Sequence, residues 1–375
     1  MNKIVWCQLG DCSHEECHHC FPVKNCMWGH VYCKEHGICD EILLGINQFT
    51  EKENKIKSPT ETFILITGSC GFIGFHLSYK LLSLGFNIIG VDMYDSFVYD
   101  SIYKINNSNK LRKFDNYREY NENILDRNHI IENTPDIVIH LAAYANVRKS
   151  IEHPDMYVKN NIECTCKLLD QIQKCHTKPL FIYASSSSVY GKNIKVPFEE
   201  GDSLLHIESP YALSKKVSEE YVQLFCKIYK IQAIGLRFFT VYGPGGRPDM
   251  AIFNFLDKIN KDEPIVMYGD GSMKRDYTFV LDIVEGICSC LNLRLREGEH
   301  KIYNLGNNSP VKLSKIISIC EKVTGKRATI IQRDVPIGDV PITYANINRA
   351  KNELGYNPTT NIETGISEMY KWMQK

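Results

Sequence analysis

The chain has 375 residues, and its 44 basic side chains balance 44 acidic ones. This length allows one large domain with something small beside it, and the neutral balance excludes a general attraction to nucleic acid or anionic membrane. No run of about 18 apolar residues marks a membrane span, and the N-terminus lacks a secretory pattern, so a cytoplasmic protein is expected.

In chain order, the first element is a Cys/His-rich stretch over residues 1–45. Seven of the 15 cysteines stand before residue 40, with five of the 12 histidines. Without a signal peptide, such a cluster points to metal rather than disulfides. Cys17 and Cys20 have two residues between them, and Cys33 and His36 repeat that gap twelve residues later. Two short ligand pairs at this separation suit tetrahedral zinc. Cys7, Cys12, Cys26 and either His30 or Cys39 offer a second set. A segment this short needs a metal to fold. Its acids outnumber its lysines, which argues against DNA and for a protein contact whose partner is unnamed.

Residues 46–61 are polar, contain Pro59 and read as a linker. From residue 62 onward, apolar runs alternate with helical patterns. Strands are expected at FILIT (63–67), NIIGVD (87–92), DIVIHLAA (136–143), LFIYASS (180–186) and QAIGLRF (232–238). Helices are expected at 72–84, 156–175 and 212–230. Apolar strands between helices predict a parallel sheet covered on both faces. After about residue 240 the alternation becomes irregular, which suits a smaller substrate lobe.

Gly68, Gly71 and Gly74 follow the first strand and open a helix. Glycine lets main chain approach a pyrophosphate, and the helix N-terminus supplies N–H groups and positive dipole. Asp92 ends the second strand, where a carboxylate binds the adenosine ribose hydroxyls and repels a 2′-phosphate. NAD is therefore expected over NADP. Further on, Tyr211 and Lys215 sit one helical turn apart on a shared face. An ammonium and the positive nicotinamide ring favour the phenolate, making Tyr211 a base near neutral pH.

The set TGSCGFIG, HLAA, ASSSSVYG and YALSK, in this order, resembles the extended short-chain dehydrogenase/reductases that act on nucleotide-sugars, the NAD-dependent epimerase/dehydratase family. The resemblance runs from about residue 62 to the C-terminus. It implies a Rossmann-type doubly wound α/β sheet over residues 62–375, with the NAD part mainly 62–240 and the substrate lobe mainly 241–375. The stretch TVYGPGGRPDMA (240–251), then YGDG and KRDYT, is similar to UDP-glucuronate 4-epimerases. By that resemblance Gly68, Gly71, Phe72, Ile73, Gly74, Asp92, Asp126, Leu141, Ala142, Ala143, Asn161, Tyr211 and Lys215 bind NAD. Ser186, Tyr211 and Lys215 are then catalytic, and Ser187, Thr240, Arg247, Arg275 and Asp339 hold the UDP-sugar. Ser187 and Ser188 stand where dehydratases and decarboxylases of the family carry acids, which leaves simple epimerisation. Three positions depart from the family pattern: Cys164 and Asn146 replace usual glycines, and Ile337 a usual proline.

The resemblance implies interconversion of UDP-glucuronate and UDP-galacturonate through a 4-keto intermediate with retained NAD. A 4-epimerase for UDP-glucose or UDP-N-acetylglucosamine is the alternative, followed by a dehydratase or decarboxylase. A zinc-linked NAD-sensing regulator without catalysis would not need the Tyr–Lys pair. A homodimer through two long helices, one of them 212–230, is also implied.

Overall fold

β1 (Phe63–Thr67) is apolar, buried from Ile64 onward, and stands at the heart of the sheet. The computed structural model describes residues 57–126, 131, 135–336 and 338–375. The expected metal ligands Cys17, Cys20, Cys33 and His36, like the second set, lie outside the described residues. Pro59–Lys375 form one unit.

After β1 come α1 (Phe72–Ser83), β2 (Asn87–Val91), α2 (Ile102–Leu111), β3 (Tyr117–Tyr120), β4 (Ile137–His140), α3 (Val147–Glu152), α4 (Pro154–Tyr157) and α5 (Cys164–Lys174). Then follow β5 (Leu180–Ser186), α6 (Pro210–Tyr229), β6 (Ala233–Phe238), β7 (Thr240–Tyr242), α7 (Ala251–Asn260), β8 (Ile265–Tyr268), β9 (Lys274–Phe279) and α8 (Val280–Cys290). The chain ends with β10 (His300–Leu305), β11 (Pro310–Lys312), α9 (Leu313–Thr324), β12 (Ile330–Arg333), α10 (Asn348–Leu354) and α11 (Ile362–Met373).

Seven strands form one sheet in the order β10-β6-β5-β4-β1-β2-β3, and every neighbouring pair is parallel. The order runs outward in both directions from β1. The loops leaving β1 and β4 therefore diverge at the carboxyl ends of the strands and open a crevice there. Successive side chains of a strand face opposite sides. Ile64 and Ile66 accordingly join a core with Leu77 and Leu81 of α1 and with Ile283 and Ile287 of α8. Leu65 joins a second core on the other face, with Leu168 and Ile172 of α5 and Val222 of α6. The sheet is thus doubly wound.

A third core, with Leu256 of α7, Ile316 of α9 and Ile366 of α11, belongs to the smaller lobe. That lobe also carries a three-stranded sheet, β11-β9-β7, and the parallel pair β12-β8. The division near residue 240 is not a clean cut. β10 returns to the main sheet beside β6, and α8 packs on its face with α1. The helix expected over 156–175 is also interrupted: a π-helical turn, Val158–Glu163, separates α4 from α5. Such turns often accompany functional sites, and this one contains the buried Asn161. Among the described residues, no helix is long and apolar enough to cross a membrane.

Candidate active site

A cleft of about 790 Å³ lies between the carboxyl ends of the main sheet and the smaller lobe, a size suited to small ligands. Gly68, Gly71, Phe72, Ile73, Gly74, Asp92, Leu141, Ala142 and Ala143 line one side. Ser186, Ser187, Tyr211, Lys215, Thr240, Arg247, Arg275 and Asp339 line the rest.

The glycine loop is held by close main-chain approach. Gly68 has φ +71°, and a Cβ there would stand 2.8 Å from the Ala142 nitrogen. A Cβ on Gly74 would meet the Gly68 carbonyl oxygen at 2.0 Å, so loop and helix pack where only glycine fits. The first turn of α1 has no side-chain cap and no acid, which leaves its positive end to an anion. Asp92 anchors the loop from the side. Its Oδ2 accepts the Cys70 N–H at 3.1 Å and its Oδ1 the Tyr94 N–H at 3.0 Å. Burial pushes its carboxyl pKa up. A glycine cradle, an open helix end and a strand-end carboxylate fit a dinucleotide.

Tyr211 is placed by the start of α6. Ser209 caps that helix by accepting the Ala212 N–H at 3.1 Å, and Pro210 takes its first position, leaving Tyr211 in the first turn. Ser186 ends β5 opposite. Its Oγ accepts the Ser188 N–H at 3.2 Å and the Ser188 hydroxyl at 3.0 Å. Both bonds use Ser186 as acceptor, so its own proton is left for a partner in the cleft, which Tyr211 also lines. Burial raises the Tyr211 pKa, and the Ser186 hydrogen bond and the Arg247 charge pull it back. Lys215 turns its Nζ to the Ala184 carbonyl at 2.9 Å. In the chain alone the phenol therefore stays above its ordinary range, not below it as expected, and the opposing influences come from Ser186 and Arg247 and not from Lys215. Burial lowers Lys215 to about 8, and Glu219, one turn further along α6, opposes that. Glu219 is itself fixed by Arg237, through Nε at 2.9 Å and Nη2 at 2.8 Å.

Arg247 is not waiting unpaired. Its Nε donates to Asp249 Oδ1 at 2.9 Å and its Nη2 to Asp249 Oδ2 at 2.5 Å, a two-point fork. Arg275 donates to the Lys274 carbonyl at 3.0 Å. Arg148 reaches across the cleft, with Nη2 3.3 Å from Asp339 Oδ2 and its guanidinium 4.2 Å from the Tyr268 ring centroid. Tyr99 overhangs the glycine loop. Its hydroxyl would stand 3.9 Å from a Cβ on Gly71.

Two expected site residues do not reach the wall described here. Asp126 sits at the end of a turn in which its N–H bonds to the Asn123 carbonyl, and Asn123 and Ile124 line the cleft instead. Asn161 braces the wall from behind. It accepts the Tyr144 N–H at 2.8 Å and donates to the Tyr144 carbonyl at 3.1 Å and the Ser214 hydroxyl at 2.9 Å. Sequence reasoning passed over Asp249, Arg148, Tyr99 and Asn123. Only Asp249 had a local signal, a carboxylate two residues after Arg247. Among the described residues, no group of three or more His, Cys, Asp or Glu side chains is arranged to hold a metal ion.

Sheet order, glycine loop and Ser–Tyr–Lys cleft together define a dinucleotide-dependent enzyme of the short-chain dehydrogenase type. Residues 65–369 match the model of the GDP-mannose 4,6 dehydratase family, and the chain belongs to this family of NAD-dependent epimerases and dehydratases. It is 38% identical to Protein CapI of Staphylococcus aureus, over 82% of this chain and 97% of that protein. It is also 38% identical to UDP-glucuronate 4-epimerase 1 of Arabidopsis thaliana, over 82% of this chain and 76% of that protein. The UDP-glucuronic acid 4-epimerase of Bacillus cereus, solved in complex with UDP-glucuronic acid and NAD, superposes with a TM-score of 0.79. That match has 32% identity and covers 84% of this chain and 99% of the Bacillus chain.

Proposed function

We propose that this chain is a nucleotide-sugar 4-epimerase that interconverts UDP-glucuronate and UDP-galacturonate. The observation that carries the reading is that Ser186, Tyr211 and Lys215 line the same cleft as the glycine cradle and Arg247. The likeness to UDP-glucuronate 4-epimerases over most of the chain supports it. Gly68, Gly71, Phe72, Ile73, Gly74, Asp92, Leu141, Ala142 and Ala143 would hold NAD, whose nicotinamide supplies reversible hydride acceptance at carbon 4. Tyr211 takes the hydroxyl proton and later returns it, and Ser186 aligns the sugar oxygen with the phenol. Lys215 supplies positive charge beside them. The resulting 4-keto sugar of a uronate is a β-keto acid, which loses carbon dioxide unless its carboxylate is restrained. Arg247, Thr240 and Ser187 are the residues assigned to that restraint, with Arg275 and Asp339 on the UDP half.

The test is incubation with UDP-glucuronate followed by chromatography of the products. UDP-galacturonate is expected; UDP-xylose or a 4-keto pentose as the main product would defeat the reading. One observation favours a second reading, a 4-epimerase of UDP-glucose or UDP-N-acetylglucosamine: Asp249 already neutralises Arg247. Running the three nucleotide-sugars side by side separates the two.

Two further parts of the reading concern assembly and metal. Leu213, Tyr221, Leu224 and Ile228 are exposed along α6 at helical spacing, which supports a homodimer through this face. The spacing of Cys17, Cys20, Cys33 and His36 supports zinc. Metal analysis of the purified chain should find about one zinc or more per protomer; none would remove that assignment.

A further inference from the structure

Asn146 joins the two sides of the cleft. Its backbone is extended, with φ −149° and ψ 115°, a conformation open to any residue, so the chain path does not dictate the side chain here. That side chain is engaged at both ends. Oδ1 accepts the Lys149 N–H at 3.0 Å and caps α3. Nδ2 donates to Asp249 Oδ2 at 2.8 Å, over a separation of 103 residues. The amide has one satisfactory orientation, because flipping it would set its oxygen against a carboxylate and its NH₂ against an N–H.

Asp249 Oδ2 thus receives two donors, Asn146 Nδ2 and Arg247 Nη2, while Oδ1 receives Arg247 Nε. The Arg247 side chain is only 14% exposed, so its orientation depends on what holds it. A guanidinium offers a carboxylate two faces for two-point binding, the Nε/Nη2 side and the Nη1/Nη2 end. Asp249 fills the side face and leaves the end face for a second carboxylate. Without the Asn146 amide, Asp249 can turn about its own side-chain bonds and release the side face, and the guanidinium then has two ways to meet an incoming anion.

We propose that Asn146 is a positioning residue for Arg247: by fixing Asp249, it presents the end face of the guanidinium to the carboxylate of a uronic-acid nucleotide. This deepens the epimerase reading and rests on it for the identity of the sugar acid. Asn146 acts through Asp249 and needs no contact with substrate. Its influence should fall on acidic sugars and spare neutral ones.

The experiment uses the full chain, loaded with NAD, carrying Asn146→Ser. Serine keeps the α3 cap, being a preferred residue there, and is too short to reach Asp249. KM and kcat are measured for UDP-glucuronate and UDP-glucose, with the melting temperature and the share of decarboxylated product. Expected are a rise of about tenfold in KM for UDP-glucuronate, a change in kcat below about threefold and a larger decarboxylated share, from loss of one charge-assisted hydrogen bond. KM for UDP-glucose and the melting temperature should stay near wild type. Equal shifts for both sugars, or none for UDP-glucuronate, overturn the proposal. Asn146→Asp, which keeps the cap and faces Asp249 with a like charge, should raise KM for UDP-glucuronate further. In an Arg247→Lys background, Asn146→Ser should add almost nothing; an additive effect overturns the coupling. Failure of the epimerase reading would show separately, as wild type without turnover of UDP-glucuronate. Calorimetric affinities of the two nucleotide-sugars for wild type and Asn146→Ser then decide the inference, and an unchanged ratio between them overturns it.

Discussion

On the side of the cleft beneath the glycine loop, position is set by main chain. Gly68 lies against the Ala142 backbone, Gly74 against the Gly68 carbonyl, and Asp92 against two backbone N–H groups. On the opposite side, position is set by side chains that hold one another: Asn146, Asp249 and Arg247 in one chain, Arg148, Asp339 and Tyr268 in another. A main-chain wall presents the same N–H groups whatever the neighbouring side chains, which suits a cofactor common to many enzymes. A side-chain wall can change its ligand by exchanging one residue, which suits the part of a substrate that varies. Ser186 and Tyr211 stand where the two meet.

The sharpest way to break this division is at the seam. Tyr211→Phe should lower turnover by about 10²–10⁴-fold and leave the dinucleotide bound, as read from nucleotide released on denaturation. Full activity would remove the assigned base. On the main-chain wall, Gly68→Ala forces a side chain into a left-handed backbone and against the Ala142 nitrogen. A stability loss of roughly 1–3 kcal/mol with loss of the dinucleotide is expected in denaturant unfolding and nucleotide analysis. A stable, fully loaded variant would contradict a wall built of main chain.

A smaller effect comes from pH. Lys215 is held near 8, so its ammonium is present below that value and lost as pH rises through it. Turnover should fall along an alkaline limb near pH 8, and a profile level past about pH 9 would show that this charge is not needed. For stability the sign is opposite. The unfolded lysine keeps its proton to about its ordinary value of 10.5, so between the two values the penalty of burying this group shrinks as pH rises. The mildest prediction concerns the side-chain wall. Arg148 is about half exposed, so Arg148→Ala should cost under about 1 kcal/mol of stability while raising KM for the nucleotide-sugar several-fold. An unchanged KM would separate this contact from binding.

What could be read from sequence follows the same division. The glycine loop, Asp92 and the Tyr211–Lys215 spacing are local, a strand, a turn or one helical turn long, so pattern and chemistry coincide. Asp126 was carried over from the family resemblance, but the turn that its N–H closes on the Asn123 carbonyl brings Glu122, Asn123 and Ile124 to the cleft. Asn161 was expected at the cofactor and braces Tyr144 and Ser214 from behind, because the π-helical turn sets its direction. The side-chain wall was mostly illegible. Asn146 finds Asp249 across 103 residues and Arg148 finds Asp339 across 191, and no periodicity announces such partners. Arg247 was expected to face the sugar acid, and its own internal carboxylate was not foreseen.

The roof over the glycine loop has a consequence for timing. Tyr99 belongs to a segment whose Phe97 ring packs on Tyr144, Tyr157 and His153, and whose Phe97 carbonyl accepts Lys149. For a molecule seated under Tyr99, escape is expected to slow with the firmness of that aromatic cluster, several residues from the phosphate contacts. In the epimerase reading, where each borrowed hydride is returned, slow escape would let a single dinucleotide serve many cycles.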